Sequence, residues 1–144
     1  MAHRPDEPNT LTLITRAHLL LSRRVTEGVA RAGHPLKPSH SAVFGQISPQ
    51  GSRLTAMART ANMTPQAMSE LVDELELLGY VERGPDPTDR RAKLIRLTEL
   101  GEDCLEAGTD MIDKIERHVA DILGDHGRRK LRELLSVLLE QKDD

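Results

Sequence analysis

Two short amphipathic helical patterns, separated by a tight turn, constrain the fold of this chain more than any other feature. The first pattern begins near Thr55, and Asn62-Met63 breaks it. The second begins at Thr64-Pro65, a capping residue followed by a proline at the first helical position. The apolar residues predicted to form its buried stripe are Ala67, Met68, Leu71, Val72, Leu75 and Leu78. Such a pair of helices is typical of a helix-turn-helix.

A charged hairpin is predicted directly after the second helix. Gly79 ends that helix, residues 80–83 favour an extended strand, and residues 92–97 favour a second one. Between them, residues 84–91 are rich in turn formers and predict a loop. Although the formal net charge of the chain is -3, basic residues outnumber acidic ones between Arg83 and Arg96 of this hairpin. The basic residues are Arg83, Arg90, Arg91, Lys93 and Arg96, and the acidic ones are Asp86 and Asp89.

A helix-turn-helix followed by a hairpin predicts a winged helix. In that arrangement the second helix enters the major groove of DNA, and the hairpin tip reaches the neighbouring minor groove, where arginine is favoured. We expect Asp89 to pair with Arg91 and to stiffen the tip, so that Arg90 points outward. The alternative is that these charges only line a solvated turn.

Long helical patterns flank this central unit. Residues 10–32 predict a long helix, and residues 39–47 predict a short one that Ser39 caps. We expect Thr98 to cap a further long helix that ends at Gly124, followed by a last helix with a nearly continuous leucine face. These helices carry more apolar surface than the central unit covers, so we expect a homodimer to bury it. An intrachain helical bundle is the alternative.

The predicted fold class is therefore mainly α (α+β). It is a winged helix-turn-helix with a two-stranded wing hairpin and with N- and C-terminal dimerisation helices. We assign residues 1–9 to a flexible N-terminal tail and residues 36–97 to the DNA-binding domain. Residues 10–35 and 98–144 are assigned to a helical dimerisation region.

Composition disfavours several other classes of protein. The single cysteine, Cys104, allows no intrachain disulfide, which favours a cytoplasmic protein, and we expect it to be a packed structural residue. No apolar run approaches the roughly 18 residues of a membrane span. Only Phe44 and Tyr80 are aromatic, so stacking on unpaired bases is disfavoured and duplex DNA is expected. No arrangement of catalytic groups indicates an enzyme, and no histidine pair has zinc-site spacing, so neither a metal nor a cofactor is predicted.

Four segments of the sequence resemble the MarR family of bacterial regulators. They are Leu54-Thr55-x-Met57-Ala58, Met63-Thr64-Pro65-Gln66-x-Met68-Ser69-x-Leu71-Val72, Leu75-x-Leu77-Leu78-Gly79-Tyr80-Val81-x-Arg83 and Asp86-Pro87-x-Asp89-Arg90-Arg91-Ala92-Lys93-Leu94-Ile95-x-Leu97-Thr98-x-x-Gly101. The last segment, which corresponds to the wing, is the most specific, and the resemblance covers nearly the whole chain in order.

This resemblance implies a transcriptional regulator that binds a pseudo-palindromic operator as an obligate homodimer. It also implies that a small-molecule effector, bound between the dimerisation and DNA-binding parts, releases the DNA, as expected of a repressor. The residues that we expect in the effector cavity are His18, His40 and Phe44.

We expect DNA contacts from the start of the second helix and from the wing. The candidate contact residues are Arg53, Thr64, Pro65, Gln66, Ser69, Asp89, Arg90 and Arg91, with Arg59 as a further phosphate contact. The chain departs from the family pattern at the acids Glu70, Asp73, Glu74 and Glu76, because family members often carry arginine or lysine on this helix. We expect these acids to lie on the flanks or to pair with basic residues of neighbouring elements. The alternative function is a winged-helix protein-interaction module with little or no DNA binding.

Overall fold

The structure is a computed structural model that describes residues 7–141. Residues 1–6 of the predicted tail and residues 142–144 of the predicted dimerisation region lie outside the described residues. The elements in chain order are α1 (Thr10–Arg31), a 3-10 turn (Pro38–His40), α2 (Ser41–Phe44), α3 (Leu54–Thr60), α4 (Pro65–Leu77), β1 (Val81–Asp86), β2 (Asp89–Leu97) and α5 (Glu99–Glu140). The fold is mainly helical with one antiparallel hairpin, which confirms the predicted winged-helix class.

Side-chain caps fix where the principal helices begin. The Thr64 hydroxyl accepts a hydrogen bond from the backbone N–H of Ala67 at 3.1 Å, so α4 begins at Pro65. The Thr98 hydroxyl accepts one from the N–H of Gly101 at 3.2 Å and donates to the carbonyl of Gly79. Both caps satisfy backbone N–H groups that have no partner within the helix. The two predicted caps are therefore confirmed.

The core lies where α2, α3, α4, the hairpin and the start of α5 meet. Its largest fully buried side chains are Met57, Met68, Leu75, Ile95, Val43, Val72 and Val81. Gly101, in the first turn of α5, is buried at a close crossing, because a Cβ atom there would collide with the backbone carbonyl oxygen of Tyr80. The start of α5 is thus held directly against the segment that follows α4. Leu78, predicted to continue the buried stripe of α4, is instead 53% exposed, because it lies at the C-terminal cap of the helix.

The wing hairpin is longer than predicted. Residues 84–86 and 89–91, expected in a loop, belong to β1 and β2, and only Pro87 and Thr88 form the turn. The register pairs Val81 with Leu97 at the base, and an irregularity follows Pro85. Turn-forming residues are tolerated here because, over residues 84–91, each strand of the hairpin has a free outer edge. Ser52 adds a short bridge to Ile95 through two backbone hydrogen bonds of 2.9 and 2.8 Å.

The segment before α3 is also less regular than predicted. Where the pattern predicts one helix over residues 39–47, the structure has a 3-10 turn and the four-residue α2. Ser39 is not a cap, because Pro38 starts the turn and Lys37 occupies the capping position. The proline fixes the backbone angle at the first position of the turn, which moves the start one residue ahead of the expected place.

Helix α5 is broken at Gly124, where the sequence predicts that one long helix ends and the last one follows. Gly124, inside α5, has φ 74° and ψ 164°, a conformation that favours glycine. Arg128 beyond the break forms an ion pair of 3.0 Å with Glu116 before it. The segment after the break, residues 125–140, carries exposed apolar residues, namely Leu131, Leu134, Leu135, Val137, Leu138 and Leu139. Within residues 7–141 no helix is long and apolar enough to cross a membrane.

Candidate nucleic-acid interface

The start of α4 faces solvent beside the core. Met68, Val72 and Leu75 bury one face of the helix, while Thr64, Pro65 and Gln66 are exposed and Ser69 is half-buried. These four positions, predicted as DNA contacts, therefore lie at the N-terminal end of a helix whose opposite face is packed against the core. The free backbone N–H groups and exposed side chains of such a helix end suit contact with phosphates and base edges.

Arg83 of β1 pairs with two acids of α4. Its Nη2 atom lies 2.8 Å from Asp73 Oδ1, and its Nη1 atom lies 2.9 Å from Glu76 Oε1. The Arg83 side chain is only 23% exposed, so the guanidinium is enclosed between the wing and α4. Two of the four acids that depart from the family pattern thus have an internal basic partner, as expected. Because both of its terminal nitrogens pair with these acids, Arg83 does not add to the unpaired positive charge of the wing.

Glu74 of α4 pairs with the segment that precedes α2. The buried His40 ring lies with Nε2 2.7 Å from Glu74 Oε2, and its Nδ1 atom accepts a hydrogen bond of 3.2 Å from the backbone N–H of Lys37. Lys37 Nζ donates to the same Glu74 oxygen at 3.2 Å. The hydrogen bond from His40, and next that from Lys37, lowers the pKa of the Glu74 carboxyl group. A third acid of α4 is thus compensated, whereas Glu70 is exposed and has no ion pair within residues 7–141.

A buried carboxylate organises the tip of the wing. Asp86 is 7% exposed, and its Oδ1 atom accepts hydrogen bonds from the backbone N–H and the hydroxyl of Thr88 at 2.8 and 2.7 Å. Its Oδ2 atom accepts from Arg53 Nε and Nη2 at 2.9 and 2.6 Å. The bonds from Thr88 and then from Arg53 lower the pKa of Asp86 to about 2. Arg53, predicted as a phosphate contact, therefore ties the wing to the start of α3.

Asp89 stiffens the tip in a different way from the one predicted. Its Oδ1 atom accepts a hydrogen bond of 3.0 Å from the backbone N–H of Arg91, not from the guanidinium. Its Oδ2 atom lies 3.9 Å from Arg53 Nη2. The side chain of Arg91 is therefore left without a carboxylate partner inside the wing.

Four cations remain available on this side of the molecule. Arg59 on α3 and Arg90, Arg91 and Lys93 on β2 are exposed, and none of their side chains forms an ion pair within the described part of the chain. Arg96, in contrast, donates from Nε to the Gln50 carbonyl at 3.2 Å. Within residues 36–97, the exposed cations that form no ion pair in the described part of the chain thus lie on the distal half of the wing and on α3.

A mainly apolar cavity lies between α1, α2 and α5. Its volume is about 160 Å³, and its apolar wall includes Val25, Val29, Phe44, Leu105 and Ile112. Lys37 and His40 form part of the polar rim. Two residues expected in an effector cavity, His40 and Phe44, therefore line it. His18 does not, because it lies exposed on α1 near Ser22.

Cys104 also lines this cavity but is buried, and burial raises the pKa of its thiol to about 11. The thiol is therefore protonated at neutral pH, as suits a packing residue. No group of three or more potential metal ligands is found among residues 7–141.

A hydrogen-bonded group of three side chains joins the winged unit to the long helices. His34, 3% exposed, lies with Nδ1 3.1 Å from the Tyr80 hydroxyl and with Nε2 2.8 Å from Asp103 Oδ2. His34 follows α1, Tyr80 follows α4, and Asp103 belongs to α5. No local sequence pattern predicts this group, because its members are separated by 46 and 69 positions.

Comparison with known proteins finds transcriptional regulators of bacteria. Residues 34–92 match the sequence model of the MarR family. The HTH-type transcriptional regulator YdcH of Bacillus subtilis (strain 168) is 38% identical over 50 residues, which are 35% of this chain and 34% of YdcH. The chain thus spans about a third of that relative. Transcriptional regulator HosA of Escherichia coli O111:H- is 26% identical over 110 residues, 74% of this chain and 82% of HosA.

Solved structures of one repressor resemble the whole fold. CouR from Rhodococcus jostii RHA1 bound to p-coumaroyl-CoA has a TM-score of 0.76 and 25% identity, and the match covers 94% of this chain and 95% of that one. The transcriptional repressor CouR bound to a 23-mer DNA duplex has a TM-score of 0.77 and 24% identity, with 92% and 93% covered. The winged helix and the long flanking helices therefore share one arrangement with these structures.

Proposed function

We propose that this chain, which belongs to the MarR family of winged-helix regulators, is a homodimeric repressor that binds a pseudo-palindromic duplex operator. One observation carries the proposal: the winged unit exposes both the start of α4 and wing cations that form no ion pair within residues 7–141, while three of the four acids of α4 are held by internal partners. The contact residues are Thr64, Pro65, Gln66 and Ser69 on α4, and Arg90 and Arg91 on the wing. Arg53 and Asp89 position the wing.

The homodimer is proposed from apolar surface that the chain leaves uncovered. Although α1 and α5 pack against each other, Leu11, Leu13, Leu19 and Leu20 of α1 are more than half exposed. The leucine face of residues 125–140 is also exposed. An intrachain bundle does not cover these faces, and large exposed apolar patches commonly mark an interface between proteins. A second copy, related by a twofold axis, would bury both faces and present two α4 helices to successive major grooves.

This proposal assigns DNA binding and dimerisation to different parts of the chain. Residues 36–97 act as the DNA-binding domain, and residues 10–35 and 98–144 act as the dimerisation region. The hydrogen bonds of His34 with Tyr80 and Asp103 lie at the junction of the two. Cytoplasmic residence is part of the proposal, because a regulator of this kind acts on the bacterial chromosome.

The cavity between α1, α2 and α5 is proposed as the effector site. CouR is described with p-coumaroyl-CoA bound, which shows that a structure of this fold can hold a small molecule. In this chain Lys37 and His40 line the cavity and also hold Glu74 of α4. An occupant that displaces either residue would therefore act directly on the helix that contacts DNA.

Selection of duplexes from a random DNA pool tests the proposal. Purified protein is expected to enrich a palindromic motif at both 50 and about 150 mM salt, because specific binding keeps base contacts that survive the screening of phosphate contacts. Light scattering on the free protein is expected to give the mass of two chains. Enrichment of no motif at either salt concentration, from protein that is folded and dimeric, would favour the protein-interaction module instead.

A further inference from the structure

We propose that Glu70 is a base-reading residue, which selects cytosine at one position of each operator half-site. This inference rests on the proposed function, since it concerns how α4 discriminates among sequences. The four acids of α4 differ in whether they have a cationic partner. Asp73 and Glu76 pair with Arg83, and Glu74 pairs with Lys37, whereas the Glu70 carboxylate has no cationic partner within residues 7–141.

Glu70 lies on the face of α4 that is opposite the core. Successive residues of an α-helix are rotated by about 100°, so Gln66 and Glu70 both lie within about 30° of the direction opposite the buried face. That buried face consists of Met68, Val72 and Leu75. Glu70 therefore stands at the centre of the exposed face, one turn after Gln66, and not on a flank as the sequence analysis expects. A helix that enters the major groove with this face inward points Glu70 at base edges.

The chemistry of the carboxylate then selects the base. An ionised glutamate only accepts hydrogen bonds, and in the major groove the exocyclic N4 amino group of cytosine is a donor to it. Gln66, one turn earlier, can pair with the N7 and N6 atoms of adenine. A carboxylate that faces phosphate instead would weaken binding to every sequence alike. The two roles of Glu70 therefore differ in whether its effect depends on the base.

The Glu70→Gln variant separates these roles. The substitution keeps the size of the side chain but adds an amide donor, which favours adenine. Wild-type protein is expected to prefer cytosine at one position of each half-site by about fivefold or more, the lower end of what a good side-chain contact provides. The variant is expected to prefer adenine there and to keep the remaining positions of the motif. Glu106→Gln on α5 removes the same charge from an exposed glutamate with no ion pair in the described residues and serves as the matched control.

Duplex selection followed by Kd measurements on the four single-base variants of the motif gives the readout. A change of preference confined to one position in the Glu70→Gln protein, with the Glu106→Gln motif unchanged, supports the assignment. An unchanged motif, or tighter binding to all four duplexes by the same factor, overturns it while leaving the proposed function intact. If wild-type protein enriches no motif, both proposals fail. Circular dichroism of the variant confirms that α4 and the rest of the helices remain folded.

Discussion

Replacement of Arg90 by alanine tests the contribution of the wing to DNA binding. Arg90 is exposed near the turn of the wing and has no ion pair in the described residues, so the substitution breaks no ion pair there. A dimer loses two such arginines, one from each wing. We therefore expect weaker operator binding without a change in fold, and a loss that depends on salt concentration.

The expected size follows from counterion release. Each phosphate that a cation neutralises adds about 0.9 to the slope of log K against log salt, so two lost contacts reduce the slope by about 1.8. With about 1 M salt as the reference, this corresponds to about 60-fold weaker binding at 0.1 M and about ninefold at 0.3 M. The difference between wild type and variant should therefore shrink as salt rises.

Fluorescence anisotropy on a labelled operator, at four or five salt concentrations, measures both slopes. Arg31→Ala is the control, because Arg31 is an exposed arginine at the end of α1, paired with Glu27 at 3.7 Å, and lies outside the proposed contact surface. It removes the same charge and should change the slope little. If the Arg90→Ala slope and Kd both equal those of wild type, the wing tip does not contact DNA, and the role assigned to Arg90 is wrong.

Three further substitutions test the fold, the dimer and the wing. Thr64→Ala removes the cap of α4 and should lower the free energy of unfolding by about 1 kcal/mol and the Tm by about 2–4 °C. Thr64→Ser keeps a capping hydroxyl and should retain most of the wild-type stability; equal Tm values for wild type and Thr64→Ala would contradict the capping role. Leu138→Glu places a charge on the exposed leucine face and should yield monomers at micromolar concentration by light scattering, with operator binding lost; a persistent dimer would exclude this face from the interface. The pKa of Asp86 is about 2 in the folded chain and ordinarily 3.8. The ionised carboxylate therefore contributes fully to the free energy of unfolding above pH 3.8, and this contribution is lost as the pH falls from 3.8 to about 2. Asp86→Asn should therefore lower the urea midpoint at pH 7, with a smaller difference near pH 2; the same difference at both would refute the assignment.

Local signals were sufficient to predict the helix ends that position the site. Thr64-Pro65, Thr98 and the glycines 79 and 124 each fix the backbone through their own side chain or lack of one, and each lies where the sequence predicts. The same kind of signal was misleading in the wing. The turn-forming residues 84–91 indicated a loop, but strand pairing and the hydrogen bonds that Asp86 accepts reduce the turn to two residues.

The partners of individual charges could not be predicted, because they are distant in sequence. Arg53 meets Asp86 across 33 positions, and His40 meets Glu74 across 34. Both pairs join separate elements of the fold, so no spacing rule within one helix or strand reveals them. That the acids of α4 lie on the flanks or pair with basic residues can be expected from the sequence, since a negative charge that faces phosphate weakens binding, but which basic residue pairs with which acid cannot. Arg53 is accordingly expected at phosphate from its local sequence, whereas in the structure it ties the wing to the start of α3.

These pairings explain how a chain of net charge -3 can present a surface suited to DNA. At physiological salt, exposed charges act over about 8–10 Å, so binding depends on the local balance and not on the total. Within residues 7–141, three carboxylates of α4 pair with Arg83 or Lys37, while the exposed cations of the wing form no ion pair. We therefore expect Arg83 to support DNA binding through these internal pairs, because its removal would leave the carboxylates of Asp73 and Glu76 without their cation on the helix proposed to contact DNA. In the proposed complex, the internal neutralisation of acids thus contributes alongside the exposed arginines of the wing.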